Sequence, residues 1–551
     1  MSSPARVRYE IPEPREVGPA FAQVLETGKA MVAEGQAEEA FEFALCALAA
    51  VLKKSRELEM LLAKLRRMQA GKTSERVDPG QLALLFEEMV AQLGEEAEEA
   101  LDPEAEARAD AEIDREIEEA RAARGPGEPK PPRQSWRTSE AVEREVHPVE
   151  VALEARTCER CGGGKSRIGE DVSQVLEYVP GHFRAHEYRL AKWACGTCKR
   201  GVTTAPGPAK LIERSAADVS LLAHVVVSKY VDHTPLHRLH RIYERSGATI
   251  PVSTMADWVG NVATAVEPLV ERLAERVVRD AYVVRTDATG LKVLDPESPE
   301  NVERGTTWCM VGDDKDVVFR YTPTGEGATG PWAFLAGRKG YIQADAAGVF
   351  DRLFNGQAAS ATEVGCWSHA RRRFVALQDT DCRVAYPIKL IGRLYRIERL
   401  ADVRELSHDE RAALRQERSG RELDKLKAWL ARAGANEPPS SNLAQACGYL
   451  LNHWTALTRF LEDGRLDLDN NLCEREIRTI ALGRKNYLFA GSHDAARHAA
   501  VLYSLLRTAA QHGLAPLPYL TGVLSKLAHG WDSGRLDELL PDRWPPGSDS
   551  P

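Results

Sequence analysis

The sequence lacks the features of membrane and secreted proteins. None of its apolar runs approaches the roughly 20 residues that a bilayer-spanning helix requires. The amino terminus, Met1 to Arg6, has no apolar segment of a secretory signal, so we expect a reducing cytoplasmic compartment and no membrane partner. In that compartment, the 10 cysteines are better explained as metal ligands or core thiols than as a disulfide framework.

The chain also lacks an overall positive charge, but its charges are unevenly distributed. Its 551 residues carry a net charge of −9. Residues 86–120 contain 15 acidic residues and two arginines, a net charge of −13, so the rest of the chain carries +4. The acidic total therefore leaves room for a basic, nucleic-acid-binding surface elsewhere. The acidic stretch itself is either a solvated or disordered segment or one that docks or mimics DNA.

Length and patterning predict several domains of mixed α/β class. Val51, Leu58 and Leu65 repeat every seven residues, which predicts a self-associating coiled coil or an amphipathic helix packed within its own domain. We predict a helical coiled-coil region with the acidic stretch at 1–122, a Pro/Gly-rich linker at 123–150, a zinc-binding domain at 151–205, a helical module at 206–275, a sheet domain at 276–376 and 466–524, a helical insertion at 377–465, and a C-terminal tail at 525–551 that frays from Pro541.

Two CxxC pairs form the strongest local motif. Cys158 and Cys161 precede Cys195 and Cys198, with 33 residues between the pairs. Four thiolates satisfy a tetrahedral Zn²⁺ and leave no position for water, so we expect one structural zinc ion in a ribbon-like domain. The intervening segments Val175–Val179 and Tyr188–Trp193 suit strands. His182 and His186 lie within the loop but are not needed as ligands.

Residues Leu222–Val259 are predicted to form a helical module. We expect one helix from Leu236 to Arg245, a turn at Ser246-Gly247, and a second helix that Ser253-Thr254 cap and that ends near Val259. This pattern is typical of a helix-turn-helix that binds DNA, although any packed helical hairpin has the same pattern.

A strand-rich region follows, with an acidic residue at the end of two apolar runs. Asp287 ends the first run and Asp345 ends the second. The remaining predicted elements are strands at Trp308–Val311, Val317–Tyr321 and Val364–Trp367, helices at Pro331–Ala336 and Val349–Phe354, and a basic helix from His369. Three strands followed by alternating helix and strand predict a ribonuclease-H-like sheet, which the helical segment after Ala376 interrupts as an insertion.

A third carboxylate, Glu474, lies at the start of a predicted helix that returns to the sheet domain. Buried strand-end acids are best tolerated when a hard divalent cation neutralises them. Two such ions about 4 Å apart can clamp the attacking and leaving oxygens of a phosphodiester. Asp287, Asp345 and Glu474 therefore predict a metal-dependent polynucleotidyl transferase. Asp467, Asp469 and Glu476 compete with Glu474 for the third position, and periodicity alone does not choose among them.

Basic residues lie close in sequence to these carboxylates. They can bind phosphates, or they can form a solvated helix face. The residues are Arg371, Arg372 and Arg373 after the last strand, and Arg475, Arg478, Arg484 and Lys485 after the third acid. Nearby, Cys366 and His369 have the spacing of metal ligands but no partner pair, and we expect an ordinary core cysteine with a hydrogen-bonded histidine.

Several motifs of the chain resemble the large transposase subunit of the insertion sequence 66 family, from the leucine-rich N-terminal helix to about Leu524. The similar segments are Asp287-Ala288-Thr289, Gly340 to Asp345, Gly365 to Phe374, Leu457 to Leu466, Asn470-Asn471, Glu474-Arg475, Ile477-Arg478, Leu482 to Asn486 and Phe489 to Ser492. Two positions depart from the family pattern: Ala288 stands where a Glu often follows the first Asp, and His493 to His498 replace a more Gly- and Glu-rich turn.

The resemblance implies a DDE transposase in which Asp287, Asp345 and Glu474 hold two Mg²⁺ or Mn²⁺ ions. It further implies binding to the terminal repeats of the element and to target DNA, a homo-oligomer, accessory proteins encoded beside the transposase, and a nucleoid-associated bacterial protein. The alternatives are a catalytically degenerate DNA-binding descendant and a nuclease that cuts without joining. The sequence offers no constellation typical of serine or tyrosine recombinases.

Overall fold

The structure, a computed structural model, describes residues 103–123, 146, 160, 163, 181–193, 203–313 and 315–545. Within this described part the chain contains both helices and sheets and divides into two compact units. The first unit contains residues 103–117, 343–348 and 362–471, and the second contains 118–342, 349–361 and 472–545. No described helix is both long enough and apolar enough to cross a membrane. The predicted coiled coil and most of the predicted linker lie outside the described residues.

The helices and strands are numbered here in chain order. The α-helices of the described residues are α1 (Pro103–Ala123), α2 (Val219–Tyr230), α3 (Leu236–Arg245), α4 (Val252–Arg279), α5 (Pro331–Phe334), α6 (Trp367–Val375), α7 (Ala385–Val403), α8 (His408–Leu414), α9 (Gly420–Ala435), α10 (Asn442–Asn452), α11 (Trp454–Thr458), α12 (Asn471–Tyr487), α13 (His493–Gln511) and α14 (Pro516–Ala528). The strands are β1 (Lys192–Trp193), β2 (Thr203–Thr204), β3 (Val283–Leu294), β4 (Val302–Gly312), β5 (Asp316–Thr322), β6 (Tyr341–Gln343) and β7 (Thr362–Val364).

A five-stranded sheet has the strand order β5-β4-β3-β6-β7. In the second unit, β3, β4 and β5 form an antiparallel meander in which Val284 lies opposite Gly312 and Leu294 lies opposite Val302. A turn joins β4 to β5, and Gly312 lies opposite Asp316. Apolar residues dominate the buried parts of both strands. The predicted strand Val317–Tyr321 is confirmed as part of β5, and the predicted strand Trp308–Val311 lies within β4, which begins earlier, at Val302.

Helix α13 covers the outer edge of the sheet, which is strand β5. The side chains of Ser504 and Thr508 accept hydrogen bonds from the backbone N–H groups of Phe319 and Val317, at 2.8 and 3.0 Å. These two hydroxyls are four residues apart and therefore lie on one face of the helix. They satisfy donors on an edge strand that would otherwise be buried without partners.

The second helix of the predicted helical module is much longer than its sequence pattern suggested. α3 and the turn at Gly247, whose φ is +88°, agree with the prediction. α4, however, runs for 28 residues, contains Ser253 and Thr254 inside its first turn rather than as caps, and passes the predicted boundary at residue 275. The apolar period continues to Val277 because this face of the helix packs into the core of the second unit. The predicted end near Val259 is therefore wrong.

The C-terminal segment is packed as far as Trp544, so fraying from Pro541 is also a wrong prediction. Trp544 is buried and packs edge-on against Tyr519, with ring centroids 5.2 Å apart. The Tyr519 hydroxyl donates a hydrogen bond to the backbone oxygen of Leu539 at 2.8 Å. Asp542 forms an ion pair with Arg276 of α4 at 2.8 Å. Aromatic packing and this ion pair hold the segment on the second unit.

In the first unit, residues 385–461, which fall within the predicted helical insertion, are almost wholly helical. A fully buried arginine, Arg415, organises its interior. The guanidinium of Arg415 donates two hydrogen bonds to Glu398, both at 2.7 Å, and others to the backbone oxygens of Phe460 and Asp463. A buried charge needs such complete pairing.

Three shorter predictions require adjustment. The predicted helix at Val349–Phe354 is a 3₁₀ helix at Gly348–Leu353. β7 ends at Val364, and Trp367 begins α6 instead of ending the strand. Of the predicted strand Tyr188–Trp193, only Lys192–Trp193 forms a strand, and it pairs with Thr203–Thr204. The predicted strand Val175–Val179 lies outside the described residues.

Candidate active site

Asp287 lies in the middle of a strand rather than at its end. β3 continues for seven residues beyond it, because β4 pairs with the strand along its whole length. The side chain of Asp287 is half-buried, and its Oδ1 accepts a hydrogen bond from the backbone N–H of Ala288 at 2.7 Å. Its partner across the strand pair is Cys309. The prediction that Asp287 ends its strand was therefore wrong, although the acid does lie where the buried part of β3 ends.

Glu474 lies in the first turn of α12, as predicted. The preceding residue, Cys473, is fully buried, and its thiol donates a hydrogen bond to the backbone oxygen of Cys309 at 3.7 Å. Because Cys309 is the cross-strand partner of Asp287, this contact brings the first turn of α12 to the part of the sheet that carries Asp287. Asp287 and the helix start that carries Glu474 therefore belong to one neighbourhood of the second unit.

Two buried cysteines neighbour these carboxylates: Cys309 lies across the strand pair from Asp287, and Cys473 precedes Glu474 in sequence. Burial raises the pKa of Cys473 well above its usual range, and the charge of Asp287 raises it further. Burial likewise raises the pKa of Cys309. Carboxylate oxygens are the ligands that hard divalent cations prefer, so Asp287 and Glu474 are the metal-ligand candidates of this neighbourhood.

Glu476, a competitor for the third acidic position, has a structural role. Its side chain is 1% exposed. Its carboxylate accepts hydrogen bonds from Arg507 at 2.6 and 3.1 Å and from Gln511 at 2.6 Å, both on α13. The bond with Glu476 also raises the pKa of Arg507. Glu476 thus joins α12 to α13, while Glu474 lies on a different side of the helix.

Asp467 and Asp469, the other competitors, belong to the first unit. The carboxylate of Asp469 accepts hydrogen bonds from the backbone and side-chain nitrogens of Asn471, at 3.0 and 2.6 Å. It also accepts a bond from the Tyr395 hydroxyl, whose pKa is raised first by burial and then by this carboxylate. The backbone oxygen of Asp467 accepts a bond from the Gln343 side chain at 2.9 Å. Asp469 therefore helps to begin helix α12.

Asp345 follows β6 by two residues and lies in the first unit, whereas Asp287 and Glu474 belong to the second. Its Oδ1 accepts a hydrogen bond from the Ala347 backbone at 3.1 Å, and Ala346 between them has a positive φ of 59°. The Tyr449 hydroxyl on α10 donates to the backbone oxygen of Asp345 at 2.8 Å. The helical insertion therefore positions the backbone that carries this acid.

Arg373 contacts the same tyrosine. Its guanidinium lies 3.8 Å from the centroid of the Tyr449 ring, a cation–π contact. Burial raises the pKa of Tyr449 to about 12, so its hydroxyl stays protonated as a hydrogen-bond donor. Arg373 therefore stabilises the tyrosine that holds Asp345.

The other two arginines of α6 line an open cavity of about 460 Å³ within the first unit. Arg371 and Arg372 share this cavity with Arg399 of α7. Arg399 was not among the basic residues predicted to bind phosphates. All three side chains are exposed, and they form a basic surface of the kind that phosphates bind. The signal that could have found Arg399 is the density of basic residues on α7, which carries Lys389, Arg393, Arg396 and Arg399.

The basic residues of α12 divide into two groups. Arg475, Arg478 and Lys485 are exposed. Arg484 is half-buried and donates a hydrogen bond to the backbone oxygen of Gly290 in β3. Arg484 therefore fastens the helix to the sheet, while the other three remain accessible to a ligand.

The remaining candidate metal ligands are the cysteines and histidines. The four cysteines Cys158, Cys161, Cys195 and Cys198 lie outside the described residues, and His182 and His186 are exposed. His369 Nδ1 lies 3.3 Å from Cys366 Sγ, which also accepts a hydrogen bond from the Asn470 backbone at 3.2 Å. Burial raises the pKa of the Cys366 thiol to about 11, so the pair is a buried neutral cysteine with a hydrogen-bonded histidine.

Comparisons with known proteins agree with this organisation. Residues 214–498 match the model described as the IS66 transposase family, residues 155–199 match the zinc-finger binding domain of transposase IS66, and residues 504–541 match the IS66 C-terminal element. The zinc-finger match includes all four cysteines of the two CxxC pairs and suggests a zinc ion.

Three similar proteins come from Sinorhizobium fredii (strain NBRC 101917 / NGR234), and each is described as uncharacterized. The protein y4qI is 32% identical over 97% of this chain and 98% of its own length. The protein y4jD is 33% identical over 72% and 80%, and y4hP is 31% identical over 88% of both chains. With a family model that matches more than half of its length and a relative similar along nearly all of it, this chain belongs to the IS66 family of transposases.

Proposed function

We propose that this transposase binds the terminal repeats of its insertion sequence and catalyses metal-dependent cleavage and strand transfer of DNA. Asp287, Asp345 and Glu474 are the proposed metal ligands. The observation that carries the proposal is the contact from Cys473 to Cys309, which brings the helix start of Glu474 to the strand that carries Asp287. We further propose that the mixed sheet is the core of a ribonuclease-H-like catalytic domain.

The residues of this site suit a hard divalent cation. Asp287 and Glu474 offer half-buried carboxylates. Mg²⁺ and Mn²⁺ prefer such oxygen ligands. When bound, two ions would polarise the scissile phosphodiester and lower the pKa of the attacking water or 3′-hydroxyl. The chain would form no covalent bond with DNA, because water and then the released 3′-hydroxyl would be the nucleophiles.

The DNA backbone would be held by two basic surfaces. One consists of Arg371, Arg372 and Arg399 around the cavity of the first unit. The other is the exposed side of α12, with Arg475, Arg478 and Lys485. Guanidinium groups bind phosphates by charge and paired hydrogen bonds, which sets the register of the duplex without reading its sequence.

Further parts of the proposal rest on the sequence. The four cysteines in two CxxC pairs are proposed to hold one structural Zn²⁺. Residues 51–68 are proposed to mediate self-association as a coiled coil, and α3 with the start of α4 is proposed as a helix-turn-helix-like DNA contact. Small accessory proteins encoded by the same element are proposed partners. These assignments are independent of the carboxylates.

A strand-transfer assay tests the central proposal. Purified protein, DNA that carries the ends of the element, accessory proteins and Mg²⁺ should yield joined product, and Asp345→Asn should abolish it. Asp351→Asn is the matched control, because Asp351 is an exposed acid six residues further along the chain. Full joining by Asp345→Asn would contradict the proposal. Binding to the ends without cleavage in Mg²⁺ or Mn²⁺ would favour a degenerate DNA-binding descendant, and cleavage without joining would favour a nuclease.

Metal rescue gives a more direct test of the ligand assignment. Asp287→Cys should lose activity with Mg²⁺, which avoids thiolate ligands, and regain part of it with Mn²⁺, which accepts them more readily. Asp287→Ala should lose activity with both ions. Equal loss for the cysteine variant in both metals would argue that Asp287 does not touch the ion.

A further inference from the structure

Helix α1, part of the acidic stretch, docks on the basic helices of the first unit. The carboxylate of Asp110 forms ion pairs with Lys389 at 2.9 Å, with Arg393 at 2.7 Å and with Arg396. Asp110 therefore contacts three cations of one helix, α7. The acidic stretch is not a solvated segment along this part of its length.

One turn and a half further on, a second acid makes a similar contact. Glu116 pairs with Arg404 at 2.9 Å and with Arg418 at 2.7 Å. Ile113 lies between the two acids and Ile117 directly follows the second, and both isoleucines are buried. These isoleucines are four residues apart and lie on one helix face, so the docking face combines two apolar side chains with two acids.

The docking is largely electrostatic. Burial by itself would raise the pKa of Asp110, but the hydrogen bonds from Arg393 and Lys389 outweigh it and lower the pKa to about 2. Arg418 and Arg404 likewise lower the pKa of Glu116 against the effect of burial. Both acids are therefore ionised at neutral pH.

The cations beneath α1 are not all part of the interior. Arg393 is fully buried and has a second partner, Glu422, within the insertion. Lys389 and Arg404, in contrast, have side chains that are 35% and 38% exposed even with α1 in place. Arg396 and Arg418 are exposed by about a quarter. Partly exposed ion pairs are screened by salt and are individually weak, so another polyanion can replace the acids of α1.

We propose that Lys389, Arg396, Arg404 and Arg418 form a DNA-binding surface that helix α1 covers, so that the acidic helix and a DNA backbone compete for the same cations. The surface continues on α7 to Arg399, which lines the arginine cavity. Displacement of α1 by DNA would free a helix rich in negative charge and release counterions from the duplex. In the absence of DNA, α1 reduces the positive charge of the surface and lowers affinity for unrelated sequences.

This inference rests on the proposed action on DNA, but its test needs no catalysis. The probe is a fluorescent 20-base-pair duplex without the ends of the element, bound by the full chain in EDTA. Asp110→Asn with Glu116→Gln should tighten binding about tenfold and steepen its salt dependence. Glu112→Gln with Glu118→Gln is the matched control, because it removes two charges from α1 without touching the insertion: Glu112 is exposed and Glu118 pairs with Arg121 of α1 itself. The control should change affinity less than twofold.

Two additional measurements test whether DNA and α1 compete for the same cations. Arg404→Gln with Arg418→Gln, added to the Asp110→Asn and Glu116→Gln background, should remove the gain in affinity. Hydrogen exchange of residues 103–123 in the unmodified protein should increase when the duplex is added. Equal tightening by the test and control pairs would assign the effect to net charge and overturn the proposal. So would no tightening, or unchanged protection of α1 in saturating duplex. Failure of strand transfer in a separate assay would leave these outcomes unaffected.

Discussion

Arg507 donates two hydrogen bonds to the carboxylate of Glu476. This contact gives Glu476 a different role from Glu474, which lies only two residues before it on α12. Glu476 is buried and serves to join α12 to α13. Glu474 is half-buried in the first turn of the same helix, beside the residue that contacts Cys309. Two neighbouring glutamates therefore have different environments, and mutations in them should have different effects.

Replacement of these two glutamates should separate activity from stability. Glu474→Gln should reduce strand transfer at least about a hundredfold, because an amide cannot replace a carboxylate as a metal ligand, and should lower the melting temperature less than Glu476→Gln does. Glu476→Gln should lower the free energy of unfolding by about 2 kcal/mol, because it leaves the Arg507 guanidinium without its charged partner. Thermal denaturation and strand-transfer assays of both variants check this. The reverse pattern would assign the metal-binding role to Glu476.

Lys229 predicts a pH-dependent change in stability. Burial lowers its pKa to about 8, and its ammonium group lies 4.6 Å from the centroid of the Tyr487 ring. Because the pKa of the folded state is below that of the unfolded chain, the buried charge destabilises the fold below pH 8. This penalty is relieved as the pH rises from about 8 towards 10.5.

The corresponding variant is Lys229→Met, which keeps the length of the side chain and removes the charge. It should be more stable than the unmodified protein by about 2 kcal/mol at pH 7, and the difference should shrink at pH 10. Denaturant unfolding at both pH values measures it. Exposed Lys485→Met is the control, and a difference that stays constant with pH would show that Lys229 is not titrated in this range.

The hydrogen bonds from β5 to α13 predict a cost for removing a single hydroxyl. Thr508→Val should destabilise the protein by about 1–3 kcal/mol, because the backbone N–H of Val317 would lose its partner in a buried position. Thr521→Val is the control, since the Thr521 hydroxyl donates only to the Leu517 backbone oxygen of its own helix. Urea unfolding of the two variants compares them. Similar losses in both would mean that the edge of β5 does not depend on α13.

The two CxxC pairs predict a stoichiometric metal. About one zinc ion per chain should survive dialysis, and Cys158→Ser should release it, since a structural site needs all four ligands. Cys447→Ala should keep the ion, because Cys447 is a buried thiol of the insertion whose pKa is raised by burial to about 12. Elemental analysis of the three proteins decides the matter. A metal-free purified protein would refute the structural zinc.

Local patterns predicted much of the fold. Strand β5 and helix α3 lie close to their predicted positions, and β4 contains its predicted residues, because apolar alternation and turn residues act over short distances. The same reasoning failed for the ends of β3 and α4. β3 extends beyond Asp287 because β4 supplies hydrogen-bonding partners, and α4 extends to Arg279 because other elements cover its apolar face. Neither partner is visible in the local sequence.

For the candidate site, too, the sequence predicted one part of the arrangement and the tertiary structure decided the rest. The sequence by itself determined which carboxylates follow apolar strands, which four cysteines can share a zinc ion, and which blocks are typical of the transposase family. Helical periodicity placed Glu474 and Glu476 on different sides of α12, but it could not say which side would be buried. Only the tertiary structure decided that Arg507 pairs with Glu476 and that Tyr449 donates a hydrogen bond to the backbone of Asp345. It also decided that the acids of α1 form ion pairs with Lys389, Arg393 and Arg404. The physical reason is that an ion pair or a buried face requires two segments distant in sequence, and the identity of the partner depends on how the whole chain packs.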